Sequence, residues 1–268
     1  IALTLNGSTA DIFDTKTIQI TSGGVGISLA ETSGTKTKTE TGTKNLTANI
    51  NWSDKFGGWT REDTYSEKIS AVKSAGSNVL DSIQYEVSKT AEGQTVYTDN
   101  LDTLALVVQN TVSGTKDKTF STTDANAVYN VTQNIGTLAD NLTISGTKSG
   151  ENISTINMGN YQGITIADAN ELTIQNVKVT ANGTILNATS SNAQTTIDNA
   201  QIVGNIVNAG KVNIKGNSSA NNISGTGATV IENSANAQID SLTQNTLNNK
   251  GSLIVNALTI TTSASNDG

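Results

Sequence analysis

The side chains that could do chemistry in this chain are mostly acids. There is no His and no Cys, and Arg61 is the only arginine. A His-dependent triad, a His general base and a thiolate or imidazole metal site are therefore excluded. Two carboxylates about 5 to 10 Å apart can still hydrolyse a glycosidic bond. Asp168 and Glu171 are close in sequence, and Asp198 could approach Glu232 or Asp240 from a neighbouring repeat. Nothing else in the pattern supports these pairs, and they read as solvated loop acids. Calcium needs only hard oxygen ligands, which Asp99-Asn100-Leu101-Asp102 or Asp168-Ala169-Asn170-Glu171 could contribute. Neither stretch matches the Asp-rich hand loop, and the Gly-Gly-x-Gly-x-Asp nonapeptide and the phosphate-binding Gly-x4-Gly-Lys loop are both missing. Asn187-Ala188-Thr189 matches a glycosylation sequon, which arises by chance in an Asn/Ser/Thr-rich chain. Trp52, Phe56 and Trp59 could form a sugar-stacking or partner surface, but with only 4% aromatic residues they read first as the core of a non-repeating subdomain. The sequence thus assigns no catalytic, cofactor-binding or metal residue and calls for no cofactor.

Composition narrows the partners. A net charge of −7 argues against a nucleic-acid partner, which would need a basic face. Only 15% of residues are charged and none is Pro. Proline has no N–H to give a ladder, so its absence fits long, continuously hydrogen-bonded β structure. Without Cys, stability must come from stacking and hydrogen bonding. No 18-residue apolar run is present, and no stretch of the sequence reads as a signal peptide. The chain begins at Ile1 rather than Met, which reads as a processed form or fragment. It stops at Asn266-Asp267-Gly268 without a closing element, so the native chain is expected to continue, or its end to be covered by a neighbour.

The elements that would position these side chains are β-strands. Leu3 and Leu5, Ile18 and Ile20, Val25 to Leu29, and Leu46 to Trp52 alternate at period two. Thr35 to Thr41 alternates Thr with charge and reads as an edge strand or hairpin arm. Residues 57–119 read as a mixed insert. The acids of Thr60-Arg61-Glu62-Asp63 and the spacing of Ile69, Val72, Val79 and Leu80 predict a helix over about 62–80. Ile83, Tyr85 and Val87 favour a hairpin that returns at Val96 after a turn at 91–94. Asp99-Asn100-Leu101 caps a second helix with Leu101, Leu104, Ala105, Val108 and Val112 on one face.

From Phe120 the β pattern resumes, with apolar-Thr-apolar triplets at 142, 164, 172 and 258. The marker residues Ile174, Ile197, Ile214, Ile239 and Ile254 are separated by 23, 17, 25 and 15 residues. A β-rich period near 20 predicts a parallel β-helix whose coils stack strand upon strand. Its triplets point apolar residues into the bore and Thr outward. Asn187, Asn208, Asn233 and Asn248 are candidates for an inward amide ladder or for corner residues. The stretch Gly216 to Gly227 is expected to bulge outward. The organisation read here is a β region over 1–56, a mixed α/β insert over 57–119 and a parallel β-helix over 120–268.

Asn141-Leu142-Thr143-Ile144-Ser145-Gly146, Gly163-Ile164-Thr165-Ile166, Asn170 to Val177, and the Asn-x-Gly-x-apolar pieces at Asn208 to Val212 and Asn249 to Leu253 resemble autotransporter passenger domains. They also resemble the wider pectate-lyase-like right-handed β-helix group. That resemblance implies a secreted or surface-displayed protein, such as an adhesin or surface-layer component. Its sugar-cleaving enzymes use clustered Asp with Arg, Lys or His, a pattern missing here, and the family's translocating barrel is also missing. The expectation is a non-enzymatic bacterial surface protein, adhesin-like, located extracellularly or on the cell surface. Its partners would be copies of itself, a neighbouring surface protein, or a glycan or host surface. A self-assembling subunit of a filament or surface layer is the first alternative, and a polysaccharide-acting enzyme or phage tail-spike the second.

Overall fold

The computed structural model describes residues 115–268 throughout. Before them it describes segments 2–5, 17–21, 25–28, 34–48, 59–73, 80–91, 98–101 and 103–109. The fold is nearly all β, and its main body is a parallel β-solenoid of about six turns. Each coil runs along three ladders in succession, here called faces A, B and C.

On face A, Leu142–Ser145 pairs with Glu171–Gln175, then come Gln194–Asp198, Lys211–Lys215 and Ala228–Ile231, all parallel. This register stacks Phe120, Ile144, Ile174, Ile197, Ile214, Ile231 and Asn249 into one column. Face B stacks Tyr129, Ile156, Val179, Ile202, Ala220, Ile239 and Val255. Face C stacks Ile164, Leu186, Ile206, Ile223, Leu242 and Leu258. Because strand side chains alternate, the residues between these apolar positions face outward, and there they are mostly Thr, Ser, Asn and Gln. The bore is therefore a filled hydrophobic core.

The column corrects the repeat read from the sequence. Ile174, Ile197 and Ile214 do stack, but the next member is Ile231, not Ile239, so successive coils advance by 23, 17 and 17 residues. Ile239 lies on face B, and Ile254 pairs with Gln238 on the outer side, where it is 62% exposed. Gly216 to Gly227 does not bulge. It holds the strand Asn217–Ser224, which pairs on two faces within one of the shortest coils.

The corner from face A to face B explains part of the Asn content. Asn176 and Asn199 have φ of 52° and 48°, and Gly216 below them has φ of 55°. Asn is among the few side chains that tolerate this left-handed region. The Asn199 amide occupies the space where a Cβ on Gly216 would sit, and its Oδ1 accepts the Asn217 N–H at 3.1 Å. Glycine at 216 thus lets the corner above close onto the corner below.

The predicted helix over 62–80 is not formed. Trp59–Lys73 is a strand, antiparallel to Gly34–Ala48 on one side and to Leu80–Ala91 on the other. The Thr-and-charge stretch is accordingly a hairpin arm, and cross-strand pairing outweighs the weak helical spacing of Ile69 and Val72. Leu80–Ala91 then changes mode and pairs parallel with Thr115–Thr122, while Thr98–Leu101 pairs parallel with Val128–Val131. The expected turn and its return at Val96 fall in residues 92–97, which lie outside the described residues. The second helix is present as Thr103–Gln109. It follows a face-B strand, where the later coils carry their face-C strand. Leu104, Val107 and Val108 are buried against the bore, and Gln109 Nε2 donates to the Ile135 carbonyl. The helix therefore covers this end of the apolar columns. Tyr85 stacks on Phe120 there, with ring centroids 6.0 Å apart.

Candidate functional site

The acids read as catalytic candidates are not brought together. Asp168 and Glu171 are exposed at the corner between Ile164–Ile166 and Glu171–Gln175. The Glu171 backbone N–H donates to Asn141 Oδ1 at 2.8 Å. Asp240 is exposed and accepts from Asn256 Nδ2 at 3.3 Å. Asp198 lies at the end of a face-A strand, directly above Lys215. Continuing the register by one residue places Glu232 below Lys215, then Lys250, then Asp267. The result is a corner column of alternating charge: Asp198, Lys215, Glu232, Lys250, Asp267. Each carboxylate has a cation between it and the next, so like charges never stack directly, although the half-buried to exposed positions make the attraction between neighbours small. Its members are 17 or 18 residues apart in sequence, a regularity that becomes visible once the coil length is known.

No group of three or more His, Cys, Asp or Glu side chains is placed to hold a metal among the described residues. Asp99 and Asn100 sit on the strand in register with Tyr129 and Asn130, while Asp102 lies outside the described residues. Trp52 and Phe56 also lie outside them, and Trp59 opens the antiparallel strand opposite Ala48.

Of the four proposed ladder asparagines, Asn208 alone points inward. Asn187 and Asn248 face outward on their strands, and Asn233 is exposed in a turn. A slip of one residue moves a side chain to the other face of a strand, which is why the apolar–Asn step does not fix direction. Asn208 is fully buried. Its Nδ2 donates to Gln244 Oε1 at 2.7 Å, and its Oδ1 accepts the Gly210 N–H at 3.1 Å. Gln244 is two coils away, and the residue between them in register is Gly225. Gly225 has φ of 122°, and a Cβ there would lie 2.4 Å from the Asn208 carbonyl oxygen. The missing side chain lets two amides meet across an intervening coil. Amide pairs also stack from coil to coil outside the bore, Asn130 with Asn157, Asn160 with Asn182, Asn205 with Asn222 and Asn217 with Asn236, and at the last coil Asn249, in register with the inward Ile231, donates to Asn266 Oδ1 at 2.6 Å.

One buried cation stands out. Lys118 lies in the bore register next to Phe120, and burial lowers its pKa to about 8, partly offset by the carboxylate of Asp140.

The outer surface has one groove worth describing, of about 500 Å³, on face C. Its floor is Thr165, Asn187 and Val207, the outward residues of three successive coils. Asn160, Tyr161 and Gln162 line one side at the preceding corner, and Gly183 and Thr184 come from the coil below. That corner is fixed. The Tyr161 N–H donates to the Met158 carbonyl, the Gln162 N–H to Asn134 Oδ1 and the Asn182 N–H to the Gly159 carbonyl. Asn182 Nδ2 donates to Asn160 Oδ1 at 2.7 Å. Sequence reading passed over Tyr161 because it is a lone aromatic in a turn.

Comparison with protein-family models, with curated proteins and with solved structures returns no match. The structure shows a β-helix fold, and no matching family supports autotransporter or pectate-lyase-like identity. Among the described residues, no helix is long and apolar enough to cross a membrane.

Proposed function

We propose that this chain is the rod of a non-enzymatic, adhesin-like protein displayed at the cell surface. The observation that carries this reading is the stack itself. Apolar columns run through coil after coil, while the outer faces carry amide ladders and an alternating-charge corner. Such an arrangement spends its side chains on cohesion along one axis, as a spacer that presents corners and grooves to a partner would need. It builds that cohesion without a disulfide or a proline. A neighbouring surface protein or a glycan is the class of partner that fits.

The test is antibody labelling of intact producing cells, with protease shaving of the same cells. Label on unbroken cells that shaving removes is the expected result. Label found only after lysis would overturn the reading.

A further inference from the structure

We propose that the face-C groove binds a neutral oligosaccharide. For its biological use the proposal rests on the adhesin-like reading above; its chemistry stands on the groove. Large exposed hydrophobic residues are scarce among the described residues: Tyr161, Val203, Val207, Ile254 and Leu258. Two of the five, Tyr161 and Val207, border this groove, at 43% and 38% exposure. They offer an apolar surface, one an aromatic ring, to the C–H face of a sugar ring. The rest of the lining is amide, hydroxyl and backbone, with no charged residue. Amides and hydroxyls both donate and accept, as a dense set of sugar hydroxyls requires.

The groups are available and held in place. The side chains of Gln162, Thr165, Thr184 and Asn187 make no hydrogen bond to another described residue, whereas the corner behind them is tied to its neighbours by the four hydrogen bonds given above. Thr165 to Val207 spans two strand spacings, roughly 10 Å, which suits consecutive sugar rings. The uncharged lining selects against uronic or sialic acids, since it has no cation to compensate a desolvated carboxylate.

The experiment uses the purified chain and neutral oligosaccharides derived from cellulose, xylan, mannan and starch, with oligogalacturonate as the acidic probe. Saturation-transfer NMR detects binding, and titration gives Kd. At least one neutral probe is expected to bind. Tyr161→Ala is expected to weaken it roughly ten-fold, through loss of the ring contact. Asn187→Ala is expected to weaken it several-fold, with circular dichroism and unfolding midpoint unchanged in both variants. Three results would each overturn the proposal: no neutral probe binds, only oligogalacturonate binds, or both variants bind as tightly as the parent. Surface display is decided separately by labelling intact cells, so a failed titration leaves that reading standing and a failed labelling leaves the groove result standing.

Discussion

Asn208 is the side chain whose replacement is most informative. In Asn208→Ala, Gln244 Oε1 and the Gly210 N–H lose their partner, and the Ala228 carbonyl loses a contact at 3.2 Å. Gln244 is only 1% exposed and Asn208 fully buried, so water does not replace the bonds freely. Each buried group left unpaired costs about 1 to 3 kcal/mol, so the two principal losses together predict destabilisation of about 4 kcal/mol. Replacing both amides by apolar groups should be cheaper than the separate replacements suggest, because the double variant strands the Gly210 N–H but neither side-chain amide. The cycle of Asn208→Leu, Gln244→Leu and the double variant is therefore expected to show a coupling of about 2 kcal/mol. The assay is urea unfolding followed by circular dichroism, with the slope m checked for constancy because stacked repeats can lose cooperativity. A coupling below about 0.5 kcal/mol, the level at which independent sites add, would refute the buried amide pair.

Further outcomes follow from other parts of the bore and corner. Lys118 binds a proton less readily folded than unfolded, so its contribution rises with pH between about 8 and 10.5. The parent chain should gain up to about 3 kcal/mol relative to Lys118→Met across that window, and unfolding curves whose difference stays flat with pH would exclude this. Thr195 and Thr229 point into the bore with buried hydroxyl oxygens that make no hydrogen bond. Thr195→Val is thus expected to stabilise by about 1 kcal/mol in thermal and urea unfolding, and a loss of stability would show that the hydroxyl is satisfied. Lys215→Glu would make three acids in succession, from Asp198 through position 215 to Glu232. It should cost about 1 kcal/mol or less at low salt and still less at high salt; a salt-independent cost would mean that charge is not the cause.

The parts of the fold legible in the sequence were those in which period-two alternation determines direction. Leu142-Thr143-Ile144, Ile164-Thr165-Ile166 and Leu172-Thr173-Ile174 all place their apolar residues in the bore and Thr outward. Register between coils was less legible, because Ile239 and Ile254 satisfy the spacing while lying on different sides of the chain path. The Trp59–Lys73 strand was hidden because its charged and apolar residues also fit a helix start, and only the antiparallel partners on both sides decide against it. Of the surface features, the alternating-charge corner was invisible until the 17-residue coil was known. The groove joins residues more than 40 positions apart, from Asn160 to Val207, which only the stacking brings together.

The stacking register is the central claim, and cysteine cross-linking tests it most directly because the chain has no native Cys. Gln238 and Ile254 face outward on adjacent coils and are paired in register, whereas Gln238 and Asn256 are offset by two residues along the strand. Adjacent parallel strands lie about 4.8 Å apart, within disulfide range, while a two-residue offset exceeds about 7 Å. The account predicts rapid oxidation of the Gln238→Cys/Ile254→Cys pair and none of the Gln238→Cys/Asn256→Cys pair. Cross-linking of the offset pair in preference to the in-register pair would contradict it.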